Sequence, residues 1–588
     1  MSSRMVLATC SLAEKWRKYT DLHSGTYPLG MASLHAVVEA EGHSIETLFL
    51  VKETIASCVT LILSAVERMR ATVLGLSVIT DTRVASYRVI ETAHLRFPEL
   101  RIVLGGVHAS TMYEQLLRRY PFAIVVLGEG ELTLVDLLDA IETGRDLYEV
   151  AGIAYVRDTK IVVTPPRPLI ENLDSLPFCR HDIFYSPERT EAQLLTSRGC
   201  PFACSFCALD AVSRRRVRKR SPENVVDEIE LILKNFPQTR SIRILDDQFF
   251  ADNKRVISIC EEIVRRGIKC EFLCQARVKP ISREMLLSME RAGFSGVTLG
   301  LESGSTKILE KCHKKISIQD VERAIHLFSG TSIRLEILLI IGLPGETIDT
   351  IIETIEVCRG LQKIKYHEYG NRFSDLFIYP GTEVYDIAKQ AGSIDDDFWL
   401  TDGDCPRFEV ENGPEAYLKY RLTLLTHLSM DFIVYPEGLR SQRDLISEIL
   451  RYVFLYPIKP YERIFALTET AAQEAKRRGT LSIAAEVPWP AEGVQIMTAR
   501  RKPGTEGEVL LGLHSVPNKM SSFDLLHAAY LCGLTAITEV FERCVVAFLE
   551  EGFAMNDGRL KPFLPSYFPK EDLPVTPAHR RSTVISPD

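Results

Sequence analysis

The sequence predicts an α/β chain: an N-terminal doubly wound, Rossmann-like domain, then a partial (β/α)6 barrel, then a mostly helical C-terminal domain. Two observations carry the prediction. Short apolar runs alternate with helix-period segments over the first two thirds of the chain. The alternation lapses once, where prolines accumulate, and then resumes. The bulk numbers agree, since 588 residues suffice for several cores and 46% hydrophobic with 25% charged residues describes an ordinary globular chain. A net charge of −8 offers no general attraction to nucleic acid or anionic lipid, so neither a stable nucleic-acid partner nor a membrane is expected. The N-terminal apolar run is too short for a signal-peptide core, and the longest one, Ile337 to Leu343, falls far below the ~18 residues of a span. The expected location is therefore the cytoplasm. Scattered cysteines such as Cys58, Cys260 and Cys358 then read as reduced core thiols.

The elements follow in order. In residues 1–156, "RMVLATC", "SIETLFL", "ATVLGLSVI", "RIVLGG" and "FAIVVLGEGE" read as strands, with helices between them; Met31, Leu34, Val37 and Val38 recur at helical spacing before a stop at Gly42. Open sheets of this kind bind ligands outside the carboxyl ends of their strands. Two such ends are glycine-rich, one with Gly105, Gly106 and His108 and the other with Gly128, Glu129 and Gly130. Glycines admit a ligand close to the backbone, although tight turns alone also explain them. Residues 157–191, with Pro165, Pro166, Pro168 and Pro177, read as a linker. Residues 192–390 carry six strand–helix repeats, from "AQLLTSRG" to "RFSDLFIYPGTEVY", and a barrel of this kind works at its strand carboxyl ends. Residues 391–570 contain long amphipathic or buried helical patterns, and 571–588 read as a disordered tail.

The most informative stretch is "SRGCPFACSFCALD", which places Cys200, Cys204 and Cys207 within eight residues at the end of the first barrel strand. Zinc would want a fourth Cys or His close by. Cys260 and Cys270 instead fall in predicted helix or strand starts, and no histidine follows until His313. Thiolates are the ligands that iron–sulfur clusters prefer, and three of them on a 4Fe-4S cluster leave one iron open. The basic run "SRRRVRKR" reads as a solvated loop near these cysteines rather than an RNA site.

The C-x3-C-x2-C loop after a first barrel strand, with Phe206 before the third cysteine, strongly resembles the radical SAM superfamily. The first-domain segments resemble the cobalamin-binding domain found ahead of many such barrels. Together they resemble the cobalamin-binding radical SAM family, whose members include methyltransferases and anaerobic Mg-protoporphyrin monomethyl ester cyclase-like enzymes. The resemblance spans residues 1–390. It implies a 4Fe-4S cluster on Cys200, Cys204 and Cys207, S-adenosylmethionine (SAM) on the open iron, and cobalamin against Gly105, Gly106, His108, Gly128, Glu129 and Gly130. It further implies polar contacts to SAM from Glu302 and Ser303, adenine packing at the fifth-strand motif with Gly342, and carboxylate or ribose contacts from Asp246, Arg277 and Arg334. The implied reaction is reductive cleavage of SAM, then modification of an unactivated carbon of a small molecule, foremost by methyl transfer and alternatively by cyclisation or rearrangement. The implied partner is a one-electron donor such as flavodoxin or ferredoxin. The chain departs from the family at the lower-face histidine motif, because Asp21, His23 and Gly25 are one residue short, which leaves the cobalt ligand open. A tRNA methylthiotransferase would need an N-terminal cysteine triad that Cys10 and Cys58 do not supply, and a cobalamin sensor would leave the cysteine loop idle.

Overall fold

In the computed structural model the described residues are 3–12, 27–185, 189–364, 369–413, 416, 420 and two strands at 494–501 and 509–516. The first sheet contains β1 (Arg4–Thr9), β2 (Ser44–Phe49), β3 (Val73–Ser77), β4 (Arg101–Gly105), β5 (Ile124–Val126), β6 (Ile153–Arg157) and β7 (Lys160–Val163), in the order β2-β1-β3-β4-β5-β6-β7. The first five strands are parallel and the last two antiparallel. Helices α1 (Leu29–Ala40), α2 (Ile55–Met69), α3 (Arg83–Arg96), α4 (Val107–Thr111), α5 (Tyr113–Arg119) and α6 (Glu131–Thr143) cover the sheet. Parallel strands must bury both faces. One face accordingly packs Cys58, Ile62, Val89 and Ile90, and the other packs Met31, Leu134 and Leu137. Strand order reverses between β1 and β3, the switch point at which such sheets open a crevice.

The first domain extends past the expected boundary at 156, because β7 pairs with β6 as a hairpin. Asp158 and Thr159 both take positive φ at its turn, the geometry that matches the twist of two antiparallel strands. Part of the expected linker therefore belongs to the sheet.

The second sheet has β8 (Glu191–Leu194), β11 (Ser241–Ile244), β12 (Glu271–Arg277), β13 (Phe294–Glu302), β14 (Arg334–Ile341) and β15 (Tyr369–Asp375), all parallel, in the order β15-β14-β13-β12-β11-β8. Helices α8 (Pro222–Asn235), α9 (Asn253–Arg265), α10 (Arg283–Ala292), α11 (Thr306–Lys311), α12 (Ile318–Phe328), α13 (Ile348–Ile364) and α14 (Glu383–Gln390) return the chain along the outside. This is the partial (β/α)6 barrel. A short ladder, β9 (Ser197–Arg198) with β10 (Arg218–Lys219), brackets the cysteine loop and α7 (Asp210–Ser213).

Of the expected helical C-terminal domain, the described part includes an antiparallel pair, β16 (Val494–Arg501) and β17 (Val509–Val516). Apart from Tyr420, its two long helical patterns, the tail at 571–588 and His23 lie outside the described residues. No helix among the described residues is long and apolar enough to cross a membrane.

Candidate active site

The cysteine loop leaves the carboxyl end of β8 and is held on several sides. Asp246, fully buried at the end of β11, accepts from the Thr196 N–H (2.6 Å) and from the Thr196 and Ser197 hydroxyls (2.5 Å each). Asp247 accepts the N–H of Gly199 at 2.8 Å. Gly199 has φ +90°, and a Cβ there would strike the carbonyl of Arg216, so only glycine fits immediately before Cys200. Farther along, Ser205 donates its N–H to the Cys312 carbonyl and accepts from that of Val384, wedging the loop between α11 and α14. Cys200 and Cys204 are half-buried and Cys207 is exposed, all free thiols. Burial pushes the Cys200 thiol up.

Charged groups gather at the same barrel mouth. Arg277, ending β12, donates to Cys204 Sγ at 3.4 Å and to the Lys314 carbonyl, and its guanidinium lies 3.8 Å over the Phe202 ring. Its Nε is buried without a partner. Glu302, at the end of β13, holds a left-handed φ of +72° and accepts from Lys314 Nζ at 2.6 Å; that ammonium also stands over the Phe206 ring. Ser303 is buried against the Thr354 hydroxyl. Gly342, at φ +87° after β14, donates its N–H to Glu346, a carboxyl whose pKa burial raises to about 8.

Two expected roles at this mouth are corrected. Arg334 is the first residue of β14 and exposed, which puts it at the barrel floor, roughly 20 Å of strand away. Asp246 is fully buried beneath the loop and takes three donors from Thr196 and Ser197, so it positions the loop.

In the first domain a cavity of about 220 Å³ opens at the switch point. Its walls are Met5 and Leu7 of β1, Gly75 to Ser77 of β3, Gly105 and Gly106, Gly128 and Gly130, and α1 with the start of α6. At Gly106, with φ +94°, a Cβ would sit 2.6 Å from the Val78 carbonyl. At Gly75 a Cβ would displace Met5, so this glycine keeps the wall open from within a strand. Gly75 was missed in the sequence, where it does not stand out from the apolar run around it; Glu131 was read there only as part of the same glycine-rich strand end as Gly128 and Gly130, with no role of its own.

Two expected cofactor residues here are also corrected. Glu129 is not part of the cavity wall; its carboxylate turns to the barrel and is taken by Arg198 and Arg218. His108 is buried at the start of α4, with Nδ1 3.2 Å from the Thr80 hydroxyl and Nε2 3.2 Å from the Tyr87 hydroxyl. Burial lowers its pKa to about 3, as expected of a neutral core histidine. The Trp399 ring, from the segment after α14, packs beside it and under Arg83.

That segment helps clasp the two domains. The Tyr87 hydroxyl donates to the Trp399 carbonyl at 3.0 Å, Arg119 to the Leu400 carbonyl and Arg83 to that of Gly403. The loop after β15 adds Tyr379 to Asp81, and α4 packs on α7. Loops from the carboxyl ends of both sheets thus meet, bringing cavity and cysteine loop to one interface.

Comparison with known proteins identifies the arrangement. The radical SAM superfamily matches residues 194–358 and the B12 binding domain residues 20–138. An uncharacterized methyltransferase of Pyrococcus horikoshii is 30% identical over 367 residues, covering 61% of this chain and 78% of that protein. The chain belongs to the cobalamin-binding radical SAM family. Another member, the anaerobic magnesium-protoporphyrin IX monomethyl ester cyclase of Rubrivivax gelatinosus, is 32% identical over 344 residues, 55% of this chain and 61% of the cyclase. The fold matches the cobalamin-dependent radical enzyme OxsB (TM-score 0.60, 18% identity, 82% of this chain and 77% of that one). It also matches the methyltransferase TsrM of Kitasatospora setae (TM-score 0.55, 22% identity, 67% of this chain and 79% of that one).

The residues present fit the cofactors of this radical SAM family. Three free thiols on one pinned loop suit a 4Fe-4S cluster, in which each cysteine holds its own iron. The buried, unpartnered Nε of Arg277 leaves a donor at the mouth for SAM. The glycine-walled cavity suits the part of cobalamin that enters a sheet's switch point. The cofactors are a 4Fe-4S cluster, SAM and cobalamin.

Proposed function

We propose that this chain methylates an unactivated carbon of a small molecule, with cobalamin as methyl carrier and SAM as radical source. One observation carries the reading: a single chain opposes a three-thiol barrel loop to a glycine-walled cavity across one interface. When bound, the cluster supplies an electron for cleaving SAM's carbon–sulfur bond and cobalamin supplies a transferable methyl group. The chain's own residues hold and orient. Glu302 and Lys314 present adjacent opposite charges, complementary to the ammonium and carboxylate of SAM's methionine moiety. Arg277 donates to Cys204 Sγ and so helps hold that sulfur at the barrel mouth. The Gly342 turn, at φ +87° after the fifth strand, would offer its backbone to adenine. The electron enters from a flavodoxin- or ferredoxin-class donor in the cytoplasm, where thiols stay reduced.

Cyclisation is the second reading, favoured by cyclases that are 28–32% identical to this chain. The test is anaerobic incubation of the reconstituted chain with SAM, reductant and cell extract, using methyl-labelled SAM. Label in a new product, matched by deoxyadenosine, supports methylation. Deoxyadenosine with an unlabelled product favours cyclisation, and no deoxyadenosine defeats both.

A further inference from the structure

A buried ion network joins the cavity wall to the cysteine loop. Glu131, the first residue of α6, lines the cavity and is 4% exposed. Its Oε1 accepts from the Ser33 hydroxyl at 2.9 Å and from Arg198 Nη2 at 2.7 Å. Arg198 Nη1 also reaches Glu129 Oε1 at 3.2 Å. Arg218 Nη1 donates to both oxygens of Glu129, at 2.8 and 2.7 Å, and to the Ile170 carbonyl at 3.0 Å. Arg198 and Arg218 are register partners in the β9–β10 ladder that brackets the loop, and only Gly199 separates Arg198 from Cys200. Two carboxylates from the first domain and two guanidiniums from the barrel thus form a charge-balanced bridge with one end in each site.

The bridge has a direction of action. A ligand filling the cavity displaces water from the Glu131 side of the Glu131–Arg198 pair. The loss of that high-dielectric neighbour strengthens the pair, because charge–charge attraction grows as local dielectric falls. A more firmly held Arg198 restrains Gly199 and Cys200, which follow it in the chain. Thermodynamic linkage then requires the converse, so that a loop ordered by its cluster binds the cavity ligand more tightly by the same factor.

We propose that Glu131, Glu129, Arg198 and Arg218 are positioning residues that couple filling of the first-domain cavity to ordering of the cysteine loop. The proposal rests on the reading that cobalamin occupies this cavity. It predicts an effect in the cluster-free chain, before any turnover.

The experiment uses the full chain without cluster, under anaerobic conditions, with cobalamin binding followed by visible absorbance. Alkylation of Cys200, Cys204 and Cys207 by iodoacetamide is timed by mass spectrometry with and without saturating cobalamin. In the wild-type chain, cobalamin slows alkylation of Cys200 by about fivefold or more. In Arg198→Gln at saturating cobalamin the slowing disappears, and Arg198→Lys, which keeps the charge, recovers part of it. Arg218→Gln gives the same loss and serves where Arg198→Gln fails to fold. Cobalamin bound to the wild-type chain with no change in alkylation overturns the coupling alone, as does full slowing in folded Arg198→Gln. Failure of the wild-type chain to bind cobalamin overturns the underlying reading and the coupling together.

Discussion

At the carboxyl ends of β3, β4 and β5 the first domain presents glycines and aliphatic side chains, with a single carboxylate in the cavity wall. At the carboxyl ends of β8, β11, β12 and β13 the barrel presents thiols, two aspartates, an arginine and a buried glutamate–lysine pair. Both sites obey one topological rule, since parallel strands open toward ligands at the same end. They differ in what recognises the ligand. The first site is made by omitting side chains, so its selectivity is one of shape; the second is made by charged and sulfur groups. Substitutions should accordingly divide, with added volume damaging the first and lost charge or sulfur damaging the second.

The largest expected effect is at the barrel. Cys204→Ala removes one of three iron ligands, and reconstituted protein should lose its cluster, seen as loss of bound iron and sulfide, while still binding cobalamin. Loss of both cofactors together would mean that the sites are not separable.

Next is Gly105→Leu in the cavity. Apart from its chain neighbours, no residue stands closer than 4.0 Å to a Cβ at this position, which lines the cavity, so the added chain takes space a ligand needs. Cobalamin affinity should fall roughly tenfold or more, since forcing extra methylenes into a filled site costs about 1–3 kcal/mol. Cluster content should not change, and titration beside iron analysis checks both.

Gly106→Ala tests shape at the backbone. A Cβ there meets the Val78 carbonyl at φ +94°, so thermal unfolding should show a loss of roughly 1–3 kcal/mol. A variant as stable as wild type would contradict the close approach of β3 and β4 at this turn.

The last test concerns the charged side. Glu346 has a folded pKa of about 8 against an ordinary 4.5, so the folded chain keeps a proton that the unfolded chain releases. Stability from this group is full at acid pH and declines as pH rises from about 4.5 to about 8, then levels. Glu346→Gln should flatten that part of the melting profile. Parallel wild-type and variant profiles would show that the group does not titrate as placed.

The contrast also explains what was legible in the sequence. The cysteine loop was readable because its chemistry lies within eight residues, and both sheets were readable because short apolar runs alternating with a period of 3.6 are a local signal. The β6–β7 hairpin also left a local trace, apolar alternation on both sides of Asp158-Thr159, which the prolines that follow obscured. Orientation was not readable. Glu129 sits in the same glycine turn that borders the cavity yet faces the barrel, and His108 follows Gly106 yet points into the core. Position along a chain does not say which side of a turn a side chain takes. Arg334 opens its strand in the sequence as it does in the structure, yet it was given a role at the mouth, which lies eight residues later. Lys314, twelve positions beyond Glu302, has no sequence mark because its partnership is made only by the fold.

The central claim is that one chain holds a radical-generating cluster site and a separate cobalamin site in apposition. Anaerobic reconstitution with iron, sulfide and cobalamin, followed by SAM and a one-electron reductant, tests it most directly. The account predicts stoichiometric cobalamin and deoxyadenosine release in the wild-type chain. With Cys200, Cys204 and Cys207 all replaced by alanine, it predicts retained cobalamin and no deoxyadenosine. Reductive cleavage of SAM by that triple variant would contradict it.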